Sequence, residues 1–128
     1  MINKPELQAL IQLTWEYFNL DLVELPVLRI TNTKKGYANA KSNKISVPTW
    51  AEKTDQSYIY YYTLHELAHI IAFRKYGSIV NLHGGHGDLF KEIEVQCLSL
   101  WNISIERKRV YAKKVYLNGE IKYTKTKR

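Results

Sequence analysis

Apolar residues near the start of the chain recur every three or four positions, as they do on one face of an α-helix. The recurring positions are Leu7, Leu10, Ile11, Trp15 and Phe18. Asn3 is suited to cap such a helix, with Pro5 in its first turn and Glu6 at the capping-box position. The pattern predicts a helix over residues 4–19 whose inner face packs on the core.

Two further helices are predicted in the middle of the chain. Residues 58–76 are apolar or aromatic on most sides, which is typical of a buried helix, and Thr54 or Asp55 is expected to cap its start. Gly77 is a suitable residue to end it. Beyond a glycine-rich loop, Asp88 is expected to cap a third helix, on which one face carries Leu89, Ile93, Cys97 and Leu100.

Extended segments are predicted at residues 27–31, 37–40 and 45–47, where β-formers lie between turn signals. Three short strands joined by tight turns favour a small antiparallel three-stranded sheet. Asn118-Gly119, a strong type I′ turn signal, predicts a β-hairpin over about residues 110–124. The expected fold is α+β, with the sheet packed on three helices. Residues 1–105 are expected to form one domain and residues 106–128 a C-terminal hairpin or tail.

A His-Glu-x-x-His motif, His65-Glu66-Leu67-Ala68-His69, lies within the central predicted helix. Histidines four residues apart point to the same side of a helix, so both imidazoles can bind one zinc ion. The glutamate between them then lies beside a metal-bound water, where it can act as general base. The motif and its apolar context together predict one zinc ion per chain.

A catalytic zinc needs a third protein ligand and one open position. His86 is the preferred candidate, because it directly precedes the third predicted helix and the glycines around it let the backbone approach closely. The alternatives are His83 in the same loop and the carboxylates Glu92 and Glu94. Glu94 shares a helix side with Phe90 and Trp101 and can therefore face inward, but a surface carboxylate is the preferred interpretation while His86 is available.

The two segments together resemble the SprT-like zinc metallopeptidases, which pair His-Glu-x-x-His with a later His-Gly-x-x-Phe/Trp-Lys segment. Here the second segment is His86-Gly87-Asp88-Leu89-Phe90-Lys91, sixteen residues after the first. Residues 36–40 and 45–47 are similar to the small sheet that precedes the motif helix in that family. The resemblance covers residues 1 to about 105 and implies a zincin-like fold.

Carried over by position, the resemblance implies that His65, His69 and His86 bind zinc and that Glu66 is the base of a peptidase. It also suggests action on DNA-bound or DNA-crosslinked proteins, since Spartan-type members cut such substrates. The chain departs from the family pattern in its C-terminal segment. The single cysteine, Cys97, cannot form the zinc ribbon common in bacterial members, and a basic hairpin is predicted in its place.

The net charge of +7 comes from the C-terminal segment. Residues 1–105 carry ten Lys/Arg and ten Asp/Glu, whereas residues 106–128 carry nine Lys/Arg and only Glu106 and Glu120. The asymmetry suggests binding to a polyanion such as DNA. The candidate contacts, which alternate with tyrosines able to stack on bases, are Arg107, Lys108, Arg109, Lys113, Lys114 and Lys122. A solvated tail is the alternative interpretation.

Two observations favour a cytoplasmic protein without a membrane partner. The N-terminus lacks the features of a signal peptide, and no apolar run is long enough to span a bilayer. The expected function is a zinc endopeptidase acting on protein substrates. The alternative is a small basic nucleic-acid-binding protein with a structural or vestigial metal site. A metallohydrolase acting on another bond is a third possibility.

Overall fold

The computed structural model describes residues 2–80 and 86–103. The helices in these ranges are α1 (Lys4–Tyr17), α2 (Gln56–Tyr76) and α3 (Asp88–Leu100). The strands are β1 (Val27–Thr31), β2 (Tyr37–Asn39) and β3 (Lys44–Pro48). Short 3-10 helices at Leu22–Glu24 and Thr49–Lys53 were not expected from the sequence. The α+β class is confirmed, while the predicted C-terminal hairpin and the boundary at residue 106 lie outside the described residues.

The sheet is mixed, so the prediction of a wholly antiparallel sheet is wrong. Its strand order is β1-β3-β2, with β3 antiparallel to β2 but parallel to β1. The turn at residues 40–43 folds β3 back onto β2, and β3 then lies between the other two strands. Burial explains this order, because Ile45, Ser46 and Val47 are all fully buried and suit a central strand covered on both faces. β2 exposes Tyr37 and Asn39, as an edge strand does.

Gly36 couples the sheet to α2. A Cβ atom at this position would lie 2.1 Å from the Ser46 carbonyl oxygen, so only glycine allows the chain to approach β3 this closely. The Gly36 N–H donates a 2.7 Å hydrogen bond to the Tyr62 hydroxyl on α2. The backbone that enters the edge strand is therefore held against the central helix.

The helix ends follow the capping chemistry of the sequence, with one exception. Asn3 accepts a hydrogen bond from the backbone N–H of Glu6, and Asp55 rather than Thr54 caps α2. Gly77 ends α2 with a φ of 76°, a conformation that favours glycine. The exception is α3, where Gly87 occupies the N-cap and Asp88 is the first helical residue. An acidic residue in that first turn still complements the helix dipole.

The core surrounds α2, which packs against α1, α3 and the sheet. Twelve of its 21 residues are buried, in agreement with the pattern of an all-round apolar helix. No helix within the described ranges is both long and apolar enough to cross a membrane.

The inner face of α3 is rotated from the predicted one. Its buried residues are Phe90, Ile93, Glu94, Cys97 and Leu98. Leu100, predicted to face inward, is 40% exposed. The helix therefore directs Glu94 into the core, where it is 4% exposed, and the preferred interpretation of Glu94 as a surface carboxylate is wrong.

Candidate metal centre

Helix α2 brings the first two histidines together. His65 and His69 are one turn apart on the same side of the helix, and their ring centroids are 5.1 Å apart. His65 is buried and His69 is half-buried. The expected placement of both imidazoles on one side of the central helix is therefore confirmed.

His86 reaches the same place from another part of the chain. It directly precedes Gly87, the N-cap of α3, and its ring centroid is 5.4 Å from that of His65 and 4.8 Å from that of His69. One ring nitrogen from each of these three residues lies within 4.8 Å of the other two. They are called the histidine cluster below, and they form a group that could hold a metal ion.

Glu94 supports the cluster from behind His65. Its Oε2 lies 2.5 Å from Nδ1 of His65, and both side chains are buried. When Nδ1–H donates to the carboxylate, the lone pair of Nε2 is directed to the opposite side of the ring. A carboxylate that fixes the tautomer of a histidine in this way is a frequent partner of metal-binding imidazoles.

The two candidate carboxylates of α3 have different surroundings. Glu92 is exposed and accepts a 2.9 Å hydrogen bond from the Tyr76 hydroxyl at the far end of α2. It therefore points away from the histidine cluster. Glu94 contacts the cluster, but as the partner of His65. The sequence contained one indication that Glu94 faces inward, because Glu94 lies on the same side of the helix as Phe90.

Phe90 contacts all three imidazoles. Its ring stacks on His69 with a centroid separation of 4.2 Å and an interplanar angle of 21°. Its centroid lies 5.2 Å from those of both His65 and His86, in edge-to-face arrangements. The residue is 2% exposed, so it restricts the rotation of the rings and keeps water from one side of the cluster. The sequence pattern had identified Phe90 without assigning it this role.

Glu66 lies beside the cluster at a cavity of about 230 Å³. Its side chain lines this cavity together with His69 and His86. Glu66 and His69 are three residues apart and therefore project to neighbouring positions on one side of α2. The residue is 5% exposed, so its side chain is largely shielded from bulk water. A carboxylate and two of the three imidazoles thus line one cavity.

Three of the tyrosines just before the motif on α2, and the single cysteine, lie in the core. Tyr58, Tyr61 and Tyr62 are buried, and Trp50 packs against Tyr58 and Tyr62, which agrees with a role in the core. Burial, and secondarily the charge of Glu94, raise the pKa of the Cys97 thiol well above its usual range. Cys97 is consequently a neutral thiol rather than a thiolate ligand.

His83 and the six basic candidates between residues 107 and 122 lie outside the described residues. For the others, the structure brings together the three histidines predicted to bind metal and places Glu66 next to them. No protein-family model matches the chain, and searches of curated proteins and of solved structures gave no significant match.

Proposed function

We propose that the protein is a zinc-dependent endopeptidase. The observation that carries the proposal is that a buried carboxylate, Glu66, lines one cavity with His69 and His86, two members of the three-histidine cluster. The ligands fit zinc, which binds histidine nitrogens at about 2.0–2.1 Å and leaves one position open in catalytic sites. One nitrogen of each histidine lies within 4.8 Å of the other two, so His65, His69 and His86 are the residues that would hold the ion.

In this proposal His65, His69 and His86 hold the metal, and Glu94 holds His65 in the required tautomer. Zinc held there would act as a Lewis acid and would make a water molecule acidic enough to lose a proton near neutral pH. Glu66 accepts a proton from the attacking water and passes it to the leaving amine. Its position within the same cavity as His69 and His86 supports this role, because proton transfer requires direct reach.

The sequence resemblance supports the same assignment. In SprT-like peptidases the His-Glu-x-x-His segment lies on a helix that follows a small sheet, and a later histidine completes the site. Here the motif lies on α2, which follows a three-stranded sheet, and His86 lies just before α3. The family assignment, the zincin-like fold and the peptide substrate are therefore parts of the proposal.

The proposal is tested with Glu66→Gln. We expect this variant to keep one zinc ion per chain, because the ligands are unchanged, and to lose about 10²–10⁴-fold in cleavage of an unfolded protein substrate. Glu92→Gln makes the same change in charge at an exposed position and serves as the control. A Glu66→Gln protein as active as the wild type would exclude this mechanism. Zinc without any peptidase activity in the wild type would favour a structural metal site.

A second proposal rests on the sequence alone. We propose that the basic segment (residues 106–128), with nine Lys/Arg and two Asp/Glu, binds DNA through its phosphates. Neutralised phosphates release counterions, so affinity is expected to fall steeply with salt. Removal of residues 106–128 should abolish this binding, as measured by fluorescence anisotropy with labelled single-stranded DNA. Binding that is insensitive to salt, or that survives the truncation, would exclude the proposal.

A further inference from the structure

One side of α2 continues from the histidine cluster into an apolar wall. Ile70 and Phe73 follow Glu66 at helical spacing, and all three line the cavity described above. The opposite wall comes from the edge of the sheet, where Ala38 on β2 and Ala40 in the turn after it both line the cavity. We refer to this space as the α2–β2 cavity.

The part of the α2–β2 cavity that lies away from Glu66 and the histidines has apolar walls. Apart from Glu66 and the two histidines, every described residue that lines the α2–β2 cavity is apolar. The apolar set includes Ala38, Ala40, Ile70, Phe73, Val80 and Phe90. A charged group placed against this apolar part of the lining, away from Glu66 and the two histidines, would lose hydration without a compensating partner there. The cavity therefore favours an uncharged, apolar group.

The size of the cavity limits what it can hold. Sites for whole small molecules usually measure about 300–1,000 Å³, whereas this cavity measures about 230 Å³. It suits one side chain of a larger substrate. Ala38 on β2 and Ala40 in the turn that follows it keep the space open, since a longer side chain at either position would project into it. These residues are half-buried, in contrast to Tyr37 and Asn39 on the outer side of the strand.

We propose that the α2–β2 cavity binds an apolar side chain of the peptide substrate, next to the bond that is cleaved, and that Ala38 and Ala40 set the size it accepts. The inference rests on the proposed peptidase function, and it names the class of substrate. A leucine-sized side chain would be preferred over glycine, and over any charged residue, at this one position of the substrate.

The proposal is tested by binding as well as by cleavage. N-acetyl-leucine hydroxamate and N-acetyl-glycine hydroxamate share the zinc-binding group and differ only in the side chain. With zinc-loaded wild-type protein, we expect the leucine compound to bind roughly 10-fold or more tightly, the effect of burying one such side chain. Isothermal titration calorimetry gives both constants without requiring activity. Equal binding of the two compounds by the wild type would overturn the proposal.

Ala38→Leu supplies the matched variant. We expect it to reduce the preference for the leucine compound to about twofold or less, because its side chain fills the space that the ligand would occupy. Tyr37→Leu introduces the same residue on the outer side of β2 and should keep the wild-type preference. Loss of the preference in Tyr37→Leu but not in Ala38→Leu would also overturn the proposal.

Cleavage separates this proposal from the proposed function. Wild-type protein that cuts leucine- and glycine-containing peptides equally, with Glu66→Gln inactive, would retain the peptidase and reject the apolar subsite. A leucine preference in hydroxamate binding without any peptide cleavage would retain the subsite and reject the peptidase.

Discussion

Replacement of Glu94 by glutamine tests how far the cluster depends on its supporting carboxylate. The 2.5 Å contact between Glu94 Oε2 and His65 Nδ1 joins two buried side chains, 4% and 3% exposed. A hydrogen bond to a charged group contributes about 1.5–3 kcal/mol. Loss of such a partner typically lowers metal affinity about 10–100-fold, which corresponds to about 1.4–2.7 kcal/mol. Glutamine retains a neutral hydrogen bond, which contributes about 0.5–1.5 kcal/mol, so we expect Glu94→Gln to lose zinc affinity near the lower end of this range, about tenfold.

The assay is a competition titration of zinc against a chromophoric chelator at neutral pH. Glutamine keeps the size of the side chain and can still accept from Nδ1–H, so the change removes mainly the negative charge. Glu92→Gln is the control, because Glu92 lies on the same helix but is exposed and bonded only to Tyr76 among the contacts described. Surface contacts of this kind contribute about 0–1 kcal/mol, so its zinc affinity should remain near that of the wild type.

Two results would refute this account of Glu94. Wild-type affinity in Glu94→Gln would show that the charge does not support His65. A loss of affinity much greater than about 100-fold, with one ligand fewer in the X-ray absorption spectrum of the complex formed at excess zinc, would identify Glu94 as a direct ligand. The expected outcome is a weaker site with the same three nitrogen ligands.

Three other predictions concern the metal, the sheet and the buried thiol. Removing zinc with a chelator should lower the melting temperature measured by scanning fluorimetry, because zinc at 100 times its Kd adds about 2.7 kcal/mol to the free energy of unfolding. The His86→Ala protein should show a smaller shift between its zinc-loaded and chelated forms. A shift equal to that of the wild type would exclude His86 as a ligand. Gly36→Ala should lower the free energy of unfolding measured in urea by about 1–3 kcal/mol, because the added Cβ would overlap the Ser46 carbonyl. An unchanged urea midpoint would contradict this packing. Cys97, whose pKa is raised by burial, should react with iodoacetamide only after unfolding. The Cys97 thiol ionises at lower pH in the unfolded chain than in the folded protein. The free energy of unfolding should therefore fall as the pH rises through about 9. A Cys97→Ala protein whose free energy of unfolding falls with pH as steeply as that of the wild type would argue against this.

Local features of the fold were predictable because they depend on residues within about one turn of each other. The Asn3 cap, the burial of α2 and its end at Gly77 all follow from short-range patterns. The same holds for the placement of His65 and His69 on one side of α2, which is a consequence of helical geometry alone. His86 was the preferred third metal ligand because of the glycines in its loop. That criterion uses the composition of the loop and does not show where the loop lies.

The tertiary structure decided every feature that depends on pairing between distant segments. The parallel contact of β1 with β3 results from burying β3 between two strands, and tight-turn signals carry no information about that order. The rotation of α3 follows from its packing on α2, and it determines that Glu94 contacts His65, 29 residues away in sequence. Local pattern indicates which residues can bind a metal or face the core. Only the packing of α3 and the sheet around α2 determines which of them meet, because those contacts join surfaces that are far apart in the chain.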